Sequence, residues 1–71
     1  MKIHFEYLFE VNDDRVAPKV IIQINGVTMG PGAFLGCGSH FGGVDLHEHI
    51  GKHFEVEIHN GVHMISGVHD D

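Results

Sequence analysis

The stretch KHFEVEIHNGVHMISGV, residues 52–68, decides the fold. Apolar and polar side chains alternate from Lys52 to His59, which is typical of a strand with one buried face. The pair Asn60-Gly61 comes next and favours a tight hairpin turn, because both residues tolerate a positive φ. The sequence therefore predicts a strand over residues 52–59, a turn, and a second strand from residue 62 to about 68.

The length of that turn decides which residues face the core. A two-residue turn places His63 beside Ile58 on the buried face. A three-residue loop pairs Ile58 with Val62 and turns Met64 inward, so that apolar residues meet apolar residues. We favour the three-residue loop, because a buried face specifies register. Ile65 then points outward.

Two further strands are predicted upstream of this hairpin. Residues 2–11 alternate with period two and predict a half-buried strand. A polar turn at residues 12–15 and the following Pro18 separate it from a strand over residues 19–29. The pair Asn25-Gly26 can bulge or end that strand. That second strand is apolar on both faces, which predicts a central strand or a subunit contact.

The fold class predicted from these elements is mainly β, with a small α+β arrangement as the alternative. Two β-hairpins flank a glycine-rich loop and one short helical turn, and residues 1–71 form a single small domain. The predicted core consists of Ile3, Phe5, Tyr7, Phe9, Val20, Ile22, Ile24, Leu46, Ile50, Phe54, Val56, Ile58 and Met64.

Residues 26–43 are rich in glycine and contain an internal repeat. Residues 30–35, GPGAFL, and residues 36–41, GCGSHF, share the pattern Gly-x-Gly-x-ring-apolar. Glycine is used where the backbone needs a positive φ or a close approach, so this segment is specified for backbone shape. Beyond it, Asp45 can cap the amide of Glu48 in one or two helical turns that Gly51 ends.

The repeat is the predicted contact surface for a ligand. Successive glycine amides can wrap an anionic or flat group, and neighbouring rings can contact it. The spacing is not the dinucleotide fingerprint, because the third glycine comes one residue late, and no phosphate-loop motif is present. The alternative is a purely structural loop. The predicted ligand-binding residues are Gly30, Gly32, Phe34, Gly36, Gly38, His40 and Phe41.

A metal site is a second hypothesis for the same region. Cys37 and His40 have ligand spacing, and His49 and His53 stand four residues apart, on one face of any helix that continues past Gly51. Zinc accepts four such ligands. However, histidine is abundant throughout the chain, and true zinc modules usually show two tight pairs. We therefore predict no cofactor, with structural zinc as the alternative.

Composition limits the classes of partner. Four cations oppose ten carboxylates, for a net charge of −6, and the cations are scattered, so direct nucleic-acid binding is not expected. No apolar run approaches the length of a membrane span, and the N-terminal residues do not resemble a signal peptide. The lone cysteine fits a reducing compartment. We therefore expect a cytoplasmic protein without membrane contact.

The size of the chain predicts self-association. A domain of 71 residues has a marginal core, and one cysteine cannot form an internal disulfide. Leu8, Ile21 and Ile65 add apolar groups outside the main face, which is consistent with a second layer formed by a partner copy. The alternative is that these residues are scattered exposed apolar groups.

The predicted function is a non-enzymatic binding module that acts as a homo-oligomer, with residues 26–43 contacting a protein or a small molecule. One alternative is a structural zinc domain. Another is a small acidic inhibitor of a nucleic-acid-handling protein, displaying carboxylate rows such as Glu6 with Glu10 and Glu55 with Glu57. Catalysis by Cys37 and His40 is not expected, because no nucleophile motif surrounds them.

Overall fold

The computed structural model describes residues 1–36 and 38–69, and the fold is mainly β, as predicted. Among these residues the chain forms three tight hairpins rather than two. The elements in chain order are β1 Lys2–His4, α1 Phe5–Leu8, β2 Phe9–Asn12, β3 Arg15–Pro18, β4 Ile21–Ile24, β5 Val27–Met29, a 3₁₀ turn Leu46–His49, β6 His53–His59 and β7 Val62–His69.

The strands form two sheets. The larger has five strands in the order β1-β6-β7-β4-β5, and the β2–β3 hairpin forms a separate two-stranded sheet. Strand β4 runs parallel to β7, whereas the other neighbours in the larger sheet are antiparallel. Neither helical element of the described chain has the length and apolar character that crossing a membrane would require.

The β6–β7 hairpin has a two-residue turn, so the three-residue loop is wrong. Asn60 and Gly61 have φ of 52° and 81°, and His63 pairs with Ile58. The positive-φ turn governs the register here because the tip of the hairpin extends beyond the core, where Ile58 is exposed. No apolar burial is therefore lost at this end. Met64 consequently points outward and is also exposed.

An irregularity in the same hairpin restores apolar contact further along. Val56 pairs with Ile65, but Glu55 pairs with Gly67, so Ser66 is an extra residue on β7. Ile65 therefore faces the core beside Val56, against the prediction that it points outward. Val56 is fully buried, and Ile65 packs against the buried cluster.

Residues 2–11 do not form one strand, because α1 interrupts them. The His4 side chain caps the turn by accepting a hydrogen bond from the Glu6 amide at 3.1 Å. The turn replaces an alternating apolar face with a helical one, since residues at i, i+3 and i+4 lie on the same side. Leu8 is thereby buried and Tyr7 exposed, the reverse of their predicted positions.

Residues 19–29 also form two strands rather than one. Asn25 and Gly26 have φ of 49° and 82°, and Ile24 pairs with Val27 across them. The pair Asn25-Gly26 therefore makes the same kind of tight hairpin turn as the pair in the C-terminal hairpin. The preceding strand β3 was not predicted: residues 15–18 were expected to be turn and connection, but Arg15 already pairs with Asn12.

One apolar cluster lies between the two sheets and the loop that follows β5. Of the predicted core, Tyr7, Ile50, Ile58 and Met64 are exposed instead. Conversely, Leu8, Val16 and Phe41 are buried although they were not predicted as core. Of the proposed second apolar layer, Leu8 is buried and Ile65 packs against the core, so only Ile21 still faces outward. The cluster itself consists of the buried residues Phe5, Leu8, Phe9, Val16, Ile22, Ile24, Phe41, Leu46, Phe54 and Val56.

Charge pairs join the N-terminal residue to β6, and β6 to β7. The amine of Met1 donates to Glu55 Oε2 at 2.6 Å and to the Val56 carbonyl oxygen at 2.7 Å. The His69 ring lies 3.1 Å from the other Glu55 oxygen. Hydrogen bonding to the amine, and then to His69, holds the pKa of Glu55 below its usual range.

Candidate functional site

The sequence repeat corresponds to a repeat of structure. The Gly30 carbonyl accepts a hydrogen bond from the Ala33 amide at 3.3 Å, and the Gly36 carbonyl accepts one from the Ser39 amide at 3.1 Å. The third residue of each turn has a positive φ, which is 99° at Gly32 in the first turn and 87° at Gly38 in the second. Glycine is favoured at this position because residues with a Cβ rarely adopt a positive φ.

The fifth and sixth residues of each repeat also behave alike. Phe34 and His40, the ring positions, are both exposed. The sixth residues face inward: Leu35 packs against the core and exchanges backbone hydrogen bonds of 2.8 and 2.9 Å with Val16, and Phe41 is buried. Each repeat thus presents one ring outward and secures itself with the following apolar residue.

A tight turn at Gly42 and Gly43 ends the glycine segment. Phe41 and Val44 exchange backbone hydrogen bonds of 2.8 and 3.0 Å across it. The Asn25 side-chain amide donates to the Gly42 carbonyl at 2.7 Å, which joins this turn to the β4–β5 hairpin. The end of the segment is therefore joined to the β4–β5 hairpin.

The first repeat forms one wall of an open groove of about 480 Å³. This volume is within the range of about 300–1,000 Å³ that small-molecule sites occupy. The other wall is the outer face of the β2–β3 hairpin, which alternates with the buried face that carries Phe9 and Val16. The lining residues are Glu10, Asn12, Arg15, Ala17, Pro18, Lys19, Pro31, Gly32, Ala33 and Phe34.

Two of the four cations of the chain line this groove. The Arg15 guanidinium carbon lies 4.5 Å from the centroid of the Phe34 ring. A guanidinium stacked in this way keeps its N–H donors at its rim, where they can meet an in-plane acceptor. The Lys19 ammonium donates to the Glu6 carbonyl at 2.7 Å, which holds its charge at one end of the groove.

The structure divides the predicted ligand-binding residues among three places. Gly32 and Phe34 line the groove, and Gly30 forms the turn that presents them. Gly36, Gly38 and His40 belong to the second repeat, outside the lining, and Phe41 lies in the core.

Sequence reasoning missed Glu10, Asn12, Arg15 and Lys19 as site residues. The available sign was the polar turn at residues 12–15, since a tight turn there places Asn12 opposite Arg15. What the sequence did not show is that residues 31–34 fold over that hairpin.

The residues of the metal hypothesis are spread over separate elements. Cys37 lies outside the described residues, and His40 is exposed on the second repeat. His49 and His53 do not share a helix, because the 3₁₀ turn ends at His49 and Gly51, between the two histidines, has a φ of 85°. Over residues 1–36 and 38–69, no three His, Cys, Asp or Glu side chains are grouped to hold a metal ion. Structural zinc stays a prediction.

The proposed carboxylate rows are also rearranged. Glu6 lies in α1 and Glu10 on β2, so they do not share a strand face. Glu55 and Glu57 do share the outer face of β6, but Glu55 is engaged by Met1 and His69. The cap of the 3₁₀ turn differs in detail, since the Asp45 carboxylate accepts from the amide of His47 rather than of Glu48.

Comparison of the chain with protein-family models, curated proteins and solved structures finds no match. The candidate site is therefore interpreted from its own geometry and charge. Those features are an open groove, two fixed cations and one exposed ring.

Proposed function

We propose that the protein is a non-enzymatic binding module and that the groove between the first repeat and the β2–β3 hairpin takes a small ligand with an anionic group. The observation that carries this proposal is the Arg15 guanidinium stacked on the Phe34 ring at the groove wall. In an acidic chain, two cations that line one groove, one of them placed over an exposed ring, form a specific local environment. An anion can meet Arg15 and Lys19 while a flat group lies against Pro31 and Phe34.

The chemistry of the lining supports binding rather than catalysis. None of the described residues that line the groove is a serine, cysteine, histidine or tyrosine. Nucleophilic catalysis usually needs such a side chain with an adjacent base. The groove is also open, whereas acid–base and nucleophilic chemistry benefits from a site that excludes water.

Benzoate is a suitable first probe, because it joins a carboxylate to a flat ring. Titration followed by backbone amide chemical shifts should show saturable changes at residues 32–34 and at Arg15. Arg15→Gln should weaken benzoate binding about tenfold, since a hydrogen bond to a charged group contributes about 1.5–3 kcal/mol. Lys2→Gln removes the same charge from β1, away from the groove, and should change the affinity by less than a factor of two.

Two outcomes would contradict the proposal. One is the absence of saturable amide shifts at residues 32–34 in the native protein. The other is an equal loss of affinity in Arg15→Gln and Lys2→Gln, which would mean that benzoate responds only to net charge. Acetate serves as the probe without a ring, and its weaker binding would assign part of the affinity to Phe34.

We also propose that copies of the chain self-associate through the outer face of the five-stranded sheet. Ile21 and Met64 are exposed there, on the neighbouring strands β4 and β7, with Val62 opposite Ile21. Contiguous exposed apolar groups are typical of interaction surfaces. Native mass spectrometry should show more than one copy per particle, and Met64→Glu should shift the population to monomer. A strictly monomeric native protein at micromolar concentration would rule this out.

A further inference from the structure

A second groove lies on the other side of the β2–β3 hairpin. Its volume is about 360 Å³, and Phe9 and Val11 line it from the face that alternates with Glu10 and Asn12. Phe5 and Ile50 add further apolar surface from α1 and from the end of the 3₁₀ turn. The full lining is His4, Phe5, Glu6, Phe9, Glu10, Val11, Lys19, Ile50 and Gly51.

The two grooves share Glu10 and Lys19 in their linings, so these two residues mark the junction between them. Lys19 is fixed at this junction, because its amide donates to the Leu8 carbonyl at 2.8 Å and its ammonium donates to the Glu6 carbonyl at 2.7 Å. A ligand crossing the junction would pass from a cationic environment to an apolar one.

The apolar groove exposes side chains that a small protein ordinarily buries. Val11 and Ile50 are 45% and 46% exposed, although both lie beside the buried Phe5 and Phe9. A hydrocarbon chain placed here would remove apolar surface from water on both partners, which is favourable in proportion to the area covered.

We propose that the natural ligand is a single-chain amphiphile with an anionic head, a class that includes alkanoates and alkyl sulfates. This inference rests on the anion-binding groove proposed above. The head lies between Arg15 and Lys19, and the chain crosses the junction to cover Val11 and Ile50. Charge complementarity favours an anionic head, and the net charge of −6 disfavours an anionic bilayer surface as the source.

Substitution of Glu10 tests the inference, because the direction of the change in affinity is predicted. Its carboxylate lies at the junction and repels a passing anionic head, so Glu10→Gln should strengthen binding of an alkanoate. The same substitution should leave binding of a neutral alcohol of equal chain length unchanged. Tighter binding of both ligands in the variant would assign the effect to the apolar groove instead of to the head.

The central experiment is calorimetric titration of the full chain with hexanoate, octanoate and decanoate, each below its micelle concentration. Affinity should rise about threefold to fourfold for each added methylene while the chain remains inside the groove. Val11→Asp should abolish this dependence on chain length. Val27→Asp is the matched control, because Val27 is 46% exposed on β5, outside either groove. Ile50→Asp replaces Val11→Asp if circular dichroism shows that the latter is unfolded.

The outcomes separate this inference from the proposed function. Equal affinity for all three alkanoates, with benzoate still bound through Arg15, would overturn the amphiphile and leave the anion groove intact. Failure of both benzoate and alkanoates would remove both proposals. Binding to vesicles of anionic lipid without binding to monomeric alkanoates, or binding of an acidic peptide alone, would also overturn the assignment.

Discussion

Replacing Gly42 by alanine is expected to destabilise the protein by about 3 kcal/mol. Part of this cost comes from holding a residue with a Cβ in the left-handed backbone region, and part from a steric clash of that Cβ. Gly42 has a φ of 58°, and a side chain there would place its Cβ 2.5 Å from the carbonyl oxygen of Ile24. That oxygen belongs to the backbone of β4 and cannot rotate away. Because a domain of this size is stable by only roughly 4–10 kcal/mol, the substitution should remove between about a third and most of its stability.

Gly43 provides the matched control for this substitution. Its φ is 82°, and an added Cβ would meet no atom within 4 Å. Gly43→Ala should therefore lower the stability by only about 1–2 kcal/mol, the cost of a left-handed backbone conformation without a clash. Urea unfolding of both variants measures the difference. Equal destabilisation would show that the turn does not pack against β4 as described.

Phe41→Ala is expected to destabilise the protein by about 3–5 kcal/mol, the range for removing a buried phenyl ring. Phe41 is 6% exposed although it lies in a glycine-rich loop. Its ring fixes the second repeat to the core, so its loss should also release that repeat. Thermal unfolding should show a decrease in Tm of about 15–25 °C or more.

Phe34→Ala is the informative comparison, because Phe34 is also a loop phenylalanine but is 56% exposed. Its stability should fall by less than about 1 kcal/mol, the usual value of an exposed cation–π contact. Benzoate binding should nevertheless weaken, since the ring and the placement of Arg15 are both lost. Similar unfolding curves for the two variants would contradict the assignment of one ring to the core and the other to the groove.

Much of the backbone could be predicted because its chemistry is local. The Asn-Gly pair at residues 60–61 specifies a hairpin wherever it stands between extended segments. The same pair at residues 25–26 makes a second hairpin, which a long apolar run over residues 19–29 concealed. The glycine repeat correctly indicated a segment specified for backbone shape, and its two halves form matching turns.

The prediction of one strand over residues 2–11 was wrong because the sequence contains two apolar patterns at once. Phe5, Tyr7 and Phe9 satisfy a strand, whereas Phe5, Leu8 and Phe9 satisfy a helical turn. The local cap from His4 is compatible with the second pattern. The second pattern also lets Leu8 enter the core in place of Tyr7, a choice that depends on contacts with distant strands.

The hairpin register was wrong for a related reason. The predicted three-residue loop buries Ile58 against the two-residue geometry that Asn60-Gly61 prefers, but the core does not extend as far as Ile58. Because no apolar side chain is buried near the tip, the turn determines the pairing there. The extra residue Ser66 then brings Ile65 opposite Val56 further along the hairpin. How far the core reaches depends on the elements that cover the sheet.

The groove is the part that only the assembled molecule contains. Turn geometry is set by a few consecutive residues, so the sequence was sufficient for the positive-φ turns and the mainly β class. The groove instead joins residues 10–19 to residues 31–34 through the bridge between Val16 and Leu35. No local pattern encodes that bridge, because its free energy comes from burying distant apolar groups together.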